Sequence, residues 1–151
     1  MWYPDRVQGA RFNWRVKRDA GENPARLRHC EPVALVAVVR SCATETDFIL
    51  IDCLTLWLSN LLFEWRENNP ESIERRACEQ ARELAATSKQ GSVVAVTNEV
   101  GSGTVPESSV ARLFRDIQGL VNQQMAHSAD AVHFLSSGIP TQIKPSIGGQ
   151  V

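Results

Sequence analysis

The sequence predicts an α/β fold built on a mainly parallel sheet with flanking helices. Three observations predict it. Apolar, β-branched runs at 47–52, 92–97 and 130–135 have the length of buried strands. Between and after them lie longer stretches, 54–64, 71–89 and 108–128, with apolar residues at helical spacing. The first two strands end on polar residues, Asp52 and Thr97-Asn98-Glu99. In an open parallel sheet, ligands bind outside the carboxyl ends of the strands, so these two tips are where a site is expected.

Composition narrows the class. The chain has 151 residues, enough for one domain with a hydrophobic core. Sixteen Lys and Arg against 17 Asp and Glu give a formal charge of −1, which leaves no basic footprint for nucleic acid. No apolar run reaches the ~20 residues that a membrane helix needs. The opening residues lack the apolar core of a signal peptide, so the sequence reads as a cytoplasmic protein. Cys30, Cys42, Cys53 and Cys78 form no C-x-x-C pair and read as structural thiols.

Residues 1–31 show neither helical nor strand periodicity, and they are expected to form an irregular segment before a single α/β domain at 32–151. Glu31-Pro32 reads as a helix start, with the helix over 33–40. The strand 47–52 follows and ends on Asp52. An apolar strand ending in Asp has the form of a Walker B element, where the carboxylate holds magnesium beside nucleotide phosphates. The competing reading is an Asp that caps the helix beginning at Leu54. That helix is apolar nearly all round, which implies burial on several sides, either under the sheet or at a subunit interface. Asn60 is polar within it and needs a partner or a role.

Arg66 to Pro70 reads as a solvated turn, 71–89 as a surface helix, and Gln90-Gly91 as its glycine cap. The strand 92–97 reads as buried. Its tip leads into a loop in which Gly101 and Gly103 let backbone approach a ligand closely. Ser108 and Ser109 open the last long helix. Arg112 and Arg115, on its first turns, are either solvated or reach a phosphate. After the strand 130–135, Ser136 to Pro140 reads as another loop at a strand's carboxyl end. No G-x-x-x-x-G-K-[ST] phosphate loop occurs in these residues, and Gly101-Ser102-Gly103-Thr104 has no lysine to replace one. His29, His127 and His133 fall in an irregular segment, a helix end and a strand, and read as structural or solvated rather than catalytic.

Three strings carry a resemblance: IDCLTLWLSNLL (51–62), VTNEVGSGTVP (96–106) and ARLFRDIQGLVNQQMAHSADAVHFLSSGIPTQIK (111–144). In order, and across roughly 47–144, they closely resemble the bifunctional adenosylcobinamide kinase/adenosylcobinamide-phosphate guanylyltransferases of cobalamin synthesis. The pattern TNEVG-x-G-x-VP followed by FRD-x-x-G-x-x-NQ is highly specific. The resemblance implies a RecA-like P-loop NTPase fold and a homotrimer. It also implies use of ATP or GTP with Mg2+, and two reactions. One phosphorylates the aminopropanol hydroxyl of adenosylcobinamide. The other transfers GMP from GTP to that phosphate through a guanylylated histidine. By resemblance, Asp52 takes the Walker B and metal position, and Glu31 a position associated with the guanine nucleotide. Thr55, Asn98, Glu99 and Gly101 match further nucleotide-binding positions.

The chain departs from the family pattern in two places. The family's first strand and its phosphate loop, GGARSGKS, have no counterpart in the sequence. The family histidine falls on Asp19 when the pattern is anchored on Pro24 and Glu31, or on Arg15 in the alternative register. Neither forms the phosphoramidate that an imidazole forms. The expectation is a member of the family that is incomplete and impaired. The alternative is a non-catalytic remnant that binds corrinoid or a subunit and associates with a complete copy.

Overall fold

Ile49 and Ile51 are buried while Asp52, at the end of their strand, is exposed, and this alternation sets the sheet in place. The computed structural model describes residues 14–16, 28–30, 33–43 and 48–145. Within the segment read as irregular, β1 (Trp14–Val16) and β2 (Arg28–Cys30) form a short antiparallel pair. Then come α1 (Leu35–Ala43), β3 (Ile49–Asp52), α2 (Leu54–Glu64), α3 (Pro70–Ser88), β4 (Val93–Val96), α4 (Ser109–Ser128), β5 (Val132–Ser136) and β6 (Ile139–Lys144). Glu31, named above as a nucleotide-contact position, and Asp19 lie outside the described residues.

β3 and β4 are parallel and in register, with Ile49 opposite Val93 and Asp52 opposite Val96. Opposed residues share a face, so Ile49, Ile51, Val93 and Ala95 point one way and Leu50, Asp52, Val94 and Val96 the other. The first set meets the helical core. The second is open, with Val94 47% and Val96 42% exposed. The continuous apolar run of β4 predicts burial on both faces, and the structure covers only one.

α2 buries Leu54, Trp57, Leu58 and Leu61, one stripe at helical spacing. Residues 54–62 are all buried or half-buried, Leu56 and Leu62 packing against the core, while the last turn opens to solvent: Phe63 is 45% exposed, and Arg66 stacks on its ring at 4.5 Å. Asn69 caps α3 by accepting from the Ser72 N–H at 2.8 Å, with Pro70 at the first helical position, so the turn before it is part of the helix start. Ile73, Ala77, Ala81 and Leu84 form its buried stripe, and the small alanines let α3 lie close to α1 and α4. Its end is Lys89 in a right-handed conformation, so the expected glycine cap at Gly91 is not the device used. Thr87 and Ser88 hydroxyls instead donate back to the Glu83 and Leu84 carbonyls. In α4, Ile117 and Val121 reach the core, while Val110, on the same apolar pattern, is exposed.

The end of the chain corrects the sequence reading. Ser136 to Pro140 is not a loop beside the parallel sheet. Ser137 (φ 52°) and Gly138 (φ 78°) form a two-residue turn, and β5 and β6 close on it as an antiparallel hairpin. Left-handed backbone at both turn positions explains the glycine. Pro140 sits in β6 opposite Leu135, and β6 is paired with β5 alone among the described residues.

Candidate active site

The tips of β3 and β4 adjoin because the strands are in register up to Asp52 and Val96. Beyond that point, polar side chains tie the two tips together. Asn98 donates twice to Thr55 Oγ1, from its backbone N at 3.0 Å and from Nδ2 at 3.1 Å. Asn122 on α4 donates from Nδ2 to the Asn98 carbonyl at 3.1 Å. Asn122 Oδ1 in turn accepts from Thr97 Oγ1 at 2.7 Å and from Gln118 Nε2 at 2.8 Å. Gln118 Nε2 also donates to Thr97 Oγ1 at 3.1 Å. Three elements are thus joined through six hydrogen bonds: the first turn of α2, the β4 tip and the middle of α4.

Among the expected site residues, the structure brings Thr55 and Asn98 into direct contact. Asp52 stands exposed one strand away, and its carboxylate has no hydrogen bond or ion pair among the described residues. That leaves its oxygens free for a cation. Magnesium commonly takes one or two protein carboxylates and completes its shell with water and phosphate oxygens, so a lone Asp fits it. Among the described residues no group of three or more His, Cys, Asp or Glu is placed to hold a metal without a ligand's help. Glu99 and Gly101 are also exposed, but Glu99 Oε1 is engaged locally, accepting from the Gly101 N–H at 2.8 Å.

Of the two arginines near this loop, Arg112 is exposed and Arg115 half-buried. Arg112 Nη1 donates to the carbonyls of Pro106 at 2.9 Å and Glu107 at 2.6 Å, so its guanidinium braces the loop. Arg115 lies 3.7 Å from its neighbour Asp116. Asn122 belongs to the pattern FRD-x-x-G-x-x-NQ, whereas Gln118 falls on one of its unspecified positions. Their spacing of four residues was the available signal, since it places both on one helix face.

A family model described as cobinamide kinase / cobinamide phosphate guanyltransferase matches residues 6–143. The chain belongs to this family. The match reaches well upstream of the stretch that carries the resemblance in sequence. The chain is 40% identical over 139 residues to the bifunctional adenosylcobalamin biosynthesis protein CobU of Salmonella typhimurium, covering 86% of this chain and 77% of that protein. It is 43% identical over 106 residues to CobU of Escherichia coli, covering 65% of this chain and 59% of that one. It is 36% identical over 134 residues to CobP of Pseudomonas aeruginosa, covering 86% and 73%.

The two strand tips thus carry a carboxylate, Asp52, without a hydrogen-bond partner among the described residues, and an amide, Asn98, bonded to Thr55. Arg15, one of the two positions where the sequence reading expects the family histidine, lies on β1. No helix among the described residues is long and apolar enough to cross a membrane.

Proposed function

We propose that this chain acts in assembly of the cobalamin nucleotide loop, binding a guanine nucleotide with Mg2+ at the tips of β3 and β4 beside adenosylcobinamide or its phosphate. The observation that carries this reading is the pairing of the Asp52 carboxylate, without a partner among the described residues, with the Thr55–Asn98–Asn122 network on the adjoining tip. Asp52 holds the cation, which offsets phosphate charge. Asn98, Glu99 and Gly101 line the mouth, and Glu31 contributes to guanine recognition. ATP or GTP is the phosphate donor for the kinase step.

The transferase step requires a nucleophile that takes GMP from GTP, releases pyrophosphate and passes the GMP to the corrinoid phosphate. Asp19 or Arg15 stands where the family histidine is expected, and neither side chain does this. No G-x-x-x-x-G-K-[ST] string occurs among the 151 residues to wrap the triphosphate. On this reading the strand tips contact nucleotide, and turnover by these 151 residues is impaired. Calorimetric titration with MgGTP, run beside a pyrophosphate-release assay with adenosylcobinamide phosphate, tests this. Millimolar magnesium-dependent binding without pyrophosphate release is the expected result. Turnover would overturn the impairment, and absence of binding would overturn the site.

A second reading is favoured by the open sheet face at Val94 and Val96 together with Phe134, Leu135, Ile139 and Ile143, exposed on the hairpin. On this reading the chain is a non-catalytic subunit that associates with a complete copy, as part of a trimer. Co-elution with an intact homologue on a sizing column supports it, and separate elution removes it.

A further inference from the structure

Gln118 is fully buried, at 0% exposure, in the middle of α4 between Ile117 and the turn that carries Val121. Its amide is an unusual choice for that place. Nε2 is well used, donating to Thr97 Oγ1 at 3.1 Å and Asn122 Oδ1 at 2.8 Å, but Oε1 is buried with no partner among the described residues. A buried acceptor without a donor is costly. A methionine would fill nearly the same space and strand no polar atom. Packing alone therefore does not call for glutamine here. What the amide adds is a pair of donated bonds that fix two other groups, Thr97 and Asn122.

Those two groups hold the functional tip. Thr97 is the first residue beyond β4, and Asn122 holds the Asn98 carbonyl. Both Gln118 bonds converge on them. With Thr97 Oγ1 donating to Asn122 Oδ1, the three side chains form a closed triangle in which each is bonded to the other two. The triangle selects one amide orientation for Asn122: its oxygen is occupied by two donors, so its Nδ2 must face Asn98. Without Gln118 the Asn122 amide can turn over, and Asn98 loses the bond that seats it against Thr55.

We propose that Gln118 is a positioning residue: through Thr97 and Asn122 it orients Asn98 for nucleotide at the strand tips. Its role in binding rests on the function proposed above, whereas its role in orienting Asn98 does not. The test compares the unaltered chain with Gln118→Met and, as an independent route through an exposed site, Thr97→Val. Amide hydrogen exchange is followed residue by residue, beside the denaturant midpoint and the MgGTP dissociation constant from an NMR titration.

Loss of one oriented hydrogen bond corresponds to roughly tenfold. Both variants are therefore expected to speed exchange at the Asn98 amide by about that factor. Amides of α3 and β3 should be unchanged, and MgGTP should bind more weakly by a similar factor. Uniform exchange throughout the chain would overturn the proposal, since that pattern is loss of global stability, and so would unaltered Asn98 exchange in both variants. If Gln118→Met does not fold, Thr97→Val decides. If Asn98 exchange responds as expected but the unaltered chain binds no MgGTP, the proposed function fails and the positioning role stands. If MgGTP binds and neither variant changes its affinity, the positioning role in binding is overturned.

Discussion

Thr55 Oγ1 is the single acceptor for two donors of Asn98, the backbone N at 3.0 Å and Nδ2 at 3.1 Å. One hydroxyl oxygen at the start of α2 thereby fixes both the path and the side-chain rotamer of a residue on the neighbouring strand tip. Because its two lone pairs are occupied, its own hydrogen is the one left to donate outward. Replacing Thr55 with Val removes the acceptor while keeping the branched shape. Asn98 is exposed, so water replaces the lost partner, and stability should fall by only about 1 kcal/mol or less. Nucleotide contact should suffer more, with MgGTP affinity reduced several-fold. Thr55→Ser should retain affinity, and a side-by-side titration of the two variants checks the oxygen's role.

Asp52 supplies the opposite case, a charged group with no partner among the described residues. Asp52→Asn is expected to leave the denaturant midpoint within about 0.5 kcal/mol of the unaltered chain, as for surface changes away from structural contacts. It should abolish the difference in GTP affinity between magnesium and EDTA. A magnesium effect that survives the substitution would place the cation elsewhere.

The strands and helices from β3 to α4 were legible because each has a clear period, and two of them a recognisable boundary residue: Asp52 for β3 and Ser108 for α4; Asn69 and Pro70 read as solvated turn and prove to be the start of α3. Their observed bounds fall within about two residues of the expected ones, the usual uncertainty at element ends. The hairpin was not legible, because Ser137 and Gly138 read as loop and Pro140 argues against a strand unless that strand lies at an edge. The open face of β4 was also hidden, since Val93-Val94-Ala95-Val96 has the same composition whether one face or both are covered. At the site, Asn98 was legible as a polar strand tip, whereas Thr55 came from the resemblance. Gln118 was passed over because a glutamine in a helix ordinarily faces water, and only tertiary placement reveals it as buried.

Gly101 tests how closely the loop is built. A Cβ added there would lie 2.7 Å from Glu99 Oε1, the far end of a flexible side chain, and no left-handed backbone is required. Gly101→Ala should therefore fold normally, with stability changed by less than about 0.5 kcal/mol. The Glu99 carboxylate must swing away and release the Gly101 N–H. A changed MgGTP affinity with an unchanged unfolding midpoint is the expected outcome. If the affinity is unchanged as well, the orientation of Glu99 has no part in binding.

Acid sensitivity at the far end of α3 has a definite sign. Lys89 Nζ lies 2.6 Å from Asp130 Oδ1, and this hydrogen bond, with the lysine charge, holds the Asp130 carboxyl below its ordinary range. A depressed folded pKa gives a contribution that is present above the unfolded pKa of about 4 and is lost as pH falls through the folded value. Both side chains are largely in water, so the contribution is small and weakened by salt. Lys89→Met should move the Asp130 titration upward toward ordinary aspartate, measured by carboxyl carbon NMR. An unmoved midpoint would show that the pair is not formed in solution.

Lys144 joins the hairpin to the last helix. Its Nζ donates to the carbonyls of Ala126 at 2.9 Å, His127 at 2.8 Å and Ala129 at 2.6 Å. These groups lie at the C-terminal end of α4, where carbonyls lack helical partners and the helix dipole favours a cation. The half-buried ammonium thus closes α4 and anchors β6 in one contact. Lys144→Met keeps the aliphatic stem but removes all three donors, and about 1–3 kcal/mol of stability should be lost, in the range for hydrogen bonds to a charged group. Exchange should accelerate first in the last turn of α4 and along β5 and β6, because the hairpin's apolar residues Phe134, Leu135, Ile139 and Ile143 are exposed and offer little packing to hold it. If loss of stability were confined to α4, with the β5–β6 amides unaffected, the hairpin would owe its position to something other than Lys144.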